Sequence, residues 1–225
     1  MTVPERPRPI TSCWLSWLAV PTWDREAVAD QIGLTGVTET TWSAGVELID
    51  RIAHDLAERL SHVLVTPALN GWVLVVGPWC GLPDLNRTAD VTRLCLELST
   101  RHHQAHAYFY GERGDGDAWL IAENGSITRR WISEYPELAL GRPVEAERRS
   151  LDAIGVVGRP EDFDPEEAVD VLADWECPAL AIAQALSLNP TALAATSGPA
   201  GTLLVATPPA ARLTDPFAHS GTLPG

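Results

Sequence analysis

The chain has 225 residues, of which 45% are hydrophobic and nine are tryptophan, so it can bury the core of one domain of ordinary size. Its 30 acidic and 16 basic residues give a net charge of −14, which disfavours nucleic acid and anionic membranes as partners and favours a basic protein. All 16 basic residues are arginine, which excludes Schiff-base chemistry and a P-loop lysine.

The N-terminal part of the sequence predicts a loose arm followed by a strand and two helices. Residues 1–12 contain three prolines and are expected to form a flexible arm. The stretch "CWLSWLAV", which begins at Cys13, predicts a first strand, and Asp24 predicts the N-cap of a short helix that ends at Gly33. An amphipathic pattern from Val46 to Leu60 predicts a longer helix with Ser43 as its N-cap.

The middle of the chain predicts a hairpin and a second long helix. The stretch "HVLVTPALNGWVLVVG" reads as two strands around an Asn-Gly turn, with residues 72–76 central in a sheet. The helix that follows ends near His102. Its buried stripe is expected to contain Val91, Leu94, Cys95 and Leu98.

Residues 106–132 predict an aromatic β-meander. Two strand-like segments, 106–111 and 118–123, are joined by an acidic loop in "GERGDGD", which lacks the ligand spacing of a calcium loop. Asn124-Gly125 is a strong hairpin signal, and a two-residue loop there pairs Trp119 with Arg130 on the next strand. Neither face of this hairpin is purely apolar, so one arginine is expected to stack on a ring or pair with a carboxylate.

The C-terminal part predicts two short helices, which begin near Asp164 and at Pro178. After Asn189-Pro190 the composition turns to Ala, Thr, Pro and Gly. Residues 194–225 are therefore expected to form a weakly ordered tail, to which 202–206 could add an edge strand. The predicted fold is a single α+β domain over residues 13–193, with a mostly antiparallel sheet flanked by helices.

Three histidines, His102, His103 and His106, lie at the predicted junction of a helix and a strand. Neutral imidazoles bind transition metals, so a metal-dependent enzyme centred on this cluster is one function hypothesis. The alternative is a solvated helix end, where the helix dipole favours histidine. The sequence contains no HExxH pattern and no nucleophile elbow, so it assigns no catalytic residue and no cofactor.

A docking surface for a basic protein is the main function hypothesis, to which the metal-dependent enzyme is the alternative. It combines rings of the aromatic meander with an acidic patch in "PEDFDPEEAVD", which also suits a solvated helix start. Its expected binding residues are Trp119, Arg130, Trp131, Glu161, Asp162, Glu166 and Glu167. In this hypothesis the chain is non-enzymatic, its charge steers the encounter, and the rings anchor the complex.

Three stretches, "TPALNGWVLVVG", "AYFYGERGDGDAWLIAENGSITRRW" and "LADWECPALAIAQALSLNPTAL", resemble a pattern in bacterial proteins of unknown function and similar length. These motifs are structural, so the resemblance implies no active-site residue. Size, acidity and the aromatic meander are also similar to those of some toxin-immunity proteins, which implies a binding role. The four cysteines form no CxxC pair and the N-terminus lacks the order of a signal peptide, so a cytoplasmic location is expected.

Overall fold

The computed structural model describes residues 3–112, 115–153 and 178–210, and these ranges contain five α-helices and eight strands. The helices are α1 (Arg25–Gln31), α2 (Trp42–Ala53), α3 (Leu85–His102), α4 (Glu145–Ala153) and α5 (Pro178–Leu186). The strands are β1 (Trp14–Val20), β2 (Thr35–Thr40), β3 (Val63–Val65), β4 (Val73–Val76), β5 (Gln104–Gly111), β6 (Asp117–Glu123), β7 (Ser126–Ile132) and β8 (Leu203–Thr207).

All eight strands belong to one antiparallel sheet in the order β2-β8-β3-β4-β1-β5-β6-β7. The helices are interspersed along the chain, so the predicted α+β class is confirmed. The predicted meander is present as the consecutive pairs β5-β6 and β6-β7. None of the helices in the described ranges is both long and apolar enough to cross a membrane.

One face of the sheet carries a row of aromatic side chains that crosses four strands. The row consists of Trp17, Tyr108, Trp119 and Trp131, each directly opposite the next in the strand register. The ring centroids of Trp17 and Tyr108 are 5.1 Å apart, and those of Trp119 and Trp131 are 6.2 Å apart. Apolar residues of α2 and α5 belong to the same buried cluster as this row and complete one layer of the core.

The opposite face of the sheet is covered by α1 and α3. The N-cap of α1 is Asp24, as predicted, and its carboxylate accepts a hydrogen bond from the backbone N–H of Ala27. Asp84 caps α3 in the same way, through the N–H of Asn86. The buried side of α3 includes the predicted stripe of Val91, Leu94, Cys95 and Leu98. Sequence periodicity therefore identified the correct packing face of this helix.

The helix predicted from Val46 to Leu60 begins earlier and ends earlier than expected. Thr41, not Ser43, is the N-cap of α2, because its hydroxyl accepts the N–H of Ala44. Ser43 instead donates its backbone N–H to the carboxylate of Glu5. Leu56 lies beyond the end of α2 and is 85% exposed, so its periodic spacing no longer places it on the buried face.

The turn at Asn124 and Gly125 forms as predicted, and both residues have positive φ angles of 48° and 79°. Two-residue hairpin loops of this type need φ > 0 at both positions, which Asn and Gly accept at low cost. Glu123 and Ser126 face each other at the ends of the turn. The local hairpin signal was therefore sufficient to locate the loop.

A β-bulge in β7 changes the pairing beyond this turn. Ile127 faces Ala122 but Arg129 faces Ile121, so Thr128 is an extra residue in β7. The predicted pairing of Trp119 with Arg130 is therefore wrong, and Trp119 faces Trp131 instead. The reason is that one inserted residue moves every later side chain of a strand to the opposite face.

Residues 203–207 form β8, which lies inside the sheet between β2 and β3. This corrects both the prediction of a weakly ordered tail from residue 194 and that of an edge strand. Leu203 and Leu204 are buried, and the side chains of Leu203 and Leu64 both lie against Gly45 of α2. The partners of β8 come from the first third of the chain, so local composition did not reveal them. Residues 211–225 lie outside the described ranges.

The N-terminal arm is also attached to the domain, in contrast to the prediction for residues 1–12. Glu5 forms a β-bridge with Gly201, just before β8. Ile10 is fully buried and donates its backbone N–H to the carbonyl oxygen of Pro190 at 3.0 Å. The arm and the segment that leads into β8 therefore hold each other against the sheet.

We expect Leu203→Ala to lower the free energy of unfolding by about 2–5 kcal/mol, because it removes buried methyl groups between α2 and β8. The matched control is Thr207→Ala at the exposed end of the same strand, with an expected change within about 0.5 kcal/mol. Chemical denaturation measures both. Equal, small effects at the two positions would show that β8 is not an interior strand.

Candidate functional site

A cleft of about 540 Å³ opens where β1 and β5 approach the start of α3. Its floor includes Ser16 of β1 and Phe109 of β5, which face each other in the strand register. One wall is the segment from Pro78 to Asn86, which contains a 3-10 turn and the N-cap of α3. The other lining residues are Trp14, Ala53, Leu56, Arg59, Asp115 and Glu134.

Trp14 is an aromatic surface at the edge of this cleft. Its side chain is 40% exposed, although it belongs to the first position of a strand whose other members are buried. The indole Nε1 donates a hydrogen bond of 2.9 Å to Asp115 Oδ2, and the ring centroid lies 5.1 Å from that of His54. These contacts hold an exposed ring in one orientation, which reduces the entropy lost when a partner binds it.

Two carboxylates, those of Asp115 and Glu134, lie in the same cleft. Burial and the neighbouring charge of Asp115 raise the pKa of Glu134. Within the described ranges neither carboxylate forms an ion pair, whereas Asp84 on the opposite wall lies 3.8 Å from Arg59. Asp115 and Glu134 therefore form a negative site that a bound cation would neutralise.

The predicted binding residues on the meander are buried. Trp119 and Arg130 are 0% exposed and Trp131 is 3% exposed, so none of them presents a surface to a partner. This corrects their predicted role as docking anchors. The predicted acidic residues Glu161, Asp162, Glu166 and Glu167 lie outside the described residues.

One arginine of the meander was expected to stack on a ring or to pair with a carboxylate, and this arginine is Arg129. Its guanidinium lies 5.4 Å from the ring centroid of Trp131 and 3.1 Å from both carboxylate oxygens of Glu147 in α4. Glu147 also accepts a hydrogen bond of 2.9 Å from Trp119 Nε1. Arg129 therefore both stacks on a ring and pairs with a carboxylate. Because of the bulge, these contacts are made by Arg129 and not by its neighbour Arg130.

Arg130 lies on the other face of the sheet, beneath α3. Its Nε donates to the carbonyl oxygen of Leu138 at 2.9 Å, and its Nη1 donates to Thr92 Oγ1 at 3.3 Å. Burial lowers the pKa of Arg130. The side chain joins β7 to α3 and to the 3-10 turn at Pro136–Leu138, which is a structural role.

The three predicted histidines do not form one site. His106 is 2% exposed and lies on the same face of the sheet as the aromatic row. Its Nδ1 is 3.0 Å from the hydroxyl oxygen of Tyr108. His102 and His103 instead line a groove at the end of α3, where His103 Nδ1 is 3.2 Å from Asn124 Oδ1. No group of three His, Cys, Asp or Glu side chains in the described part of the chain could hold a metal ion. The metal-centre hypothesis therefore lacks the geometry that it requires.

Cys80 and Cys95 are buried free thiols. Burial raises the pKa of Cys80 to about 12 and also raises that of Cys95. A thiol that stays protonated at neutral pH is a poor nucleophile. Both side chains act as small apolar residues, which agrees with the predicted place of Cys95 on the buried stripe of α3. Cys177 lies outside the described ranges.

The sequence did not predict the cleft as a site. Its lining residues come from β1, the segment after α2, the start of α3, β5 and the loops around β6 and β7. Only the acidic loop "GERGDGD", which contains Asp115, gave a local signal. The residues that form the cleft together with Asp115 are distant in the sequence, so the site is recognisable only in the folded chain.

We compared the chain with protein-family models, with curated proteins and with solved structures, and none of the three comparisons gave a match. Fold and site therefore define the chain as an α+β protein with an acidic and aromatic cleft. Because one fold can host many functions, the function has to be argued from this cleft.

We expect Glu147→Ala to lower the free energy of unfolding by about 3–5 kcal/mol, because it leaves the buried charge of Arg129 unpaired. Glu145→Ala, on the same helix, is the matched control. Glu145 pairs with Arg148 and Arg149 at the surface, so its loss should lower the melting temperature far less. Thermal and chemical unfolding measure both, and equal effects would contradict a buried pair.

Asp117 joins β6 to the start of α5. Its Oδ1 accepts the backbone N–H of Ala179 at 3.0 Å. Burial raises the pKa of Asp117 to about 7, and this hydrogen bond opposes the shift only in part. In the unfolded chain an aspartate has a pKa of about 4. The folded state therefore binds the proton of Asp117 more tightly than the unfolded chain does.

The stability of the wild type relative to Asp117→Asn should therefore fall as the pH rises from about 4 to about 7, and then remain constant. Below this window both states carry the proton, and above it both have lost it. Asparagine keeps the hydrogen-bond acceptor but does not titrate, so the difference isolates this residue. Chemical denaturation of both proteins from acidic to weakly alkaline pH measures the difference between their free energies of unfolding. A difference that does not change with pH would contradict the raised pKa of Asp117.

Proposed function

We propose that this chain is a non-enzymatic binding protein that docks a basic segment of a protein partner in the cleft, as an immunity protein or an adaptor does. The observation that carries the proposal is the pair Asp115 and Glu134, which lies beside the exposed ring of Trp14 and forms no ion pair with the described residues. Two like charges in one cleft raise the energy of the free protein, and a cationic partner removes this cost.

The overall charge supports the same kind of partner. A net charge of −14 attracts basic proteins over a distance of about 8–10 Å at physiological salt and accelerates their encounter. The exposed apolar lining adds a short-range contribution, because Leu56 and Trp14 lose water when a partner covers them. Charge therefore steers the partner, and the apolar lining holds it.

The best catalytic arrangement in the described part of the chain argues against an enzyme. The hydroxyl of Tyr108 lies 3.0 Å from His106 Nδ1 and 3.1 Å from Ser187 Oγ. Burial lowers the pKa of His106 to about 4 and raises that of Tyr108, so the imidazole is a weak base at neutral pH. We interpret this chain of hydrogen bonds as a connection between β5 and the end of α5.

A cytoplasmic location is part of the proposal. Among the described residues the buried thiols of Cys80 and Cys95 form no disulfide, which suits a reducing compartment.

The test uses the full-length protein and a short lysine-rich peptide with one central arginine, with a glutamate-rich peptide as the charge control. We expect the basic peptide to bind at about 20 mM salt and to bind at least about tenfold more weakly at about 300 mM. Asp115→Asn with Glu134→Gln should weaken binding by a similar factor, as measured by calorimetry or fluorescence anisotropy.

The control for net charge is Asp30→Asn with Glu47→Gln. Both residues are exposed, and neither lines the cleft. This variant loses the same two charges, so its affinity should stay within about twofold of the wild type. Equal weakening by the two double variants would show attraction by net charge without a site. Absence of binding to the basic peptide at low salt would overturn the proposed function.

A further inference from the structure

We infer that the cleft receives one arginine side chain of the partner, with its guanidinium group among Asp115, Glu134 and Ser16 and its plane against the ring of Trp14. This inference rests on the proposed function and adds the chemical identity of the anchoring residue. Four features of the cleft support it: a hydroxyl on its floor that forms no hydrogen bond with the described residues, two carboxylates, an oriented ring and an apolar lining.

Ser16 provides evidence that does not depend on the acidic residues. It is only 5% exposed, and its side chain lines the cleft. Among the residues that the structure describes, none forms a hydrogen bond with its hydroxyl group. This hydroxyl opens onto the cleft, so it can accept a hydrogen bond from an N–H donor placed there.

The arrangement of acceptors favours arginine over lysine. A guanidinium group presents five N–H donors in a plane, so it can serve two carboxylates and a hydroxyl at the same time. A lysine ammonium is a compact, strongly hydrated charge and loses more of its hydration in a partly apolar cleft. Asp115 already accepts the Trp14 N–H and keeps its second oxygen for the ligand.

The rest of the cleft matches the remainder of an arginine side chain. Trp14 offers a ring face for stacking by a guanidinium plane, and its hydrogen bond to Asp115 places charge and ring next to each other. Leu56 and Phe109 supply apolar surface for the methylene groups. A volume of about 540 Å³ suits one side chain and a little adjoining backbone, so the rest of the partner stays outside the cleft.

The experiment compares two peptides that differ at one position. The first is the lysine-rich peptide with its single central arginine, and the second carries lysine at that position. Wild-type protein should bind the arginine peptide at least about fivefold more tightly. Citrulline, which has nearly the same shape but no charge, should bind more weakly than either.

Ser16→Ala and Trp14→Leu should each reduce the preference for arginine to less than about twofold, while binding of the lysine peptide changes little. Ser12→Ala is the control for Ser16, because Ser12 is also buried but does not line the cleft, and it should leave the preference unchanged. Circular dichroism confirms folding, and if Trp14→Leu does not fold, Ser16→Ala decides alone.

The outcomes separate this inference from the proposed function. If both peptides bind equally well and the variant of Asp115 and Glu134 weakens both, the cleft docks a basic segment but the arginine assignment is wrong. A preference that survives Ser16→Ala also overturns the assignment. If neither peptide binds, both proposals fail.

Discussion

Four rings, those of Trp17, Tyr108, Trp119 and Trp131, stand side by side across β1, β5, β6 and β7. They form a continuous apolar surface, and apolar residues of α2, α4 and α5 belong to the same buried cluster. Aromatic pairs of this kind contribute about 0.5–1.5 kcal/mol each beyond the burial of their area. The row therefore fixes the register of the meander and the position of the helices that cover this face.

The row exists only because β7 contains a bulge. Without the extra residue at Thr128, Trp131 would lie on the face of α3 and Arg130 would lie opposite Trp119. With the bulge, each of two consecutive arginines has its own polar partners: Arg129 binds Glu147, and Arg130 binds Thr92 and the backbone of Leu138. The bulge thus decides which polar groups surround each of the two buried arginines.

The same strand that anchors the aromatic row also builds the cleft. Side chains of a strand alternate between its faces, so Leu15 and Trp17 enter the core while Trp14 and Ser16 face the cleft. A site on a strand in the middle of an eight-stranded sheet is held more rigidly than one on a loop. The carboxylates of Asp115 and Glu134 come from loops at the ends of β6 and β7 and complete the site.

The sequence by itself determined the local features of this protein. The Asp24 cap, the buried stripe of α3 and the Asn124-Gly125 turn were all predicted, because each depends on residues within one or two turns of chain. The net charge, on which the proposal of a basic partner partly rests, is also a property of the sequence alone.

Tertiary structure decided the features that depend on distant residues. Neither the place of β8 between β2 and β3 nor the separation of His106 from His102 and His103 could be predicted from local patterns. The burial of Trp119 and Trp131 and the assembly of the cleft have the same origin. Whether a strand is interior, or a ring exposed, is set by pairing and packing between segments far apart in the chain, and local propensity carries no information about those contacts.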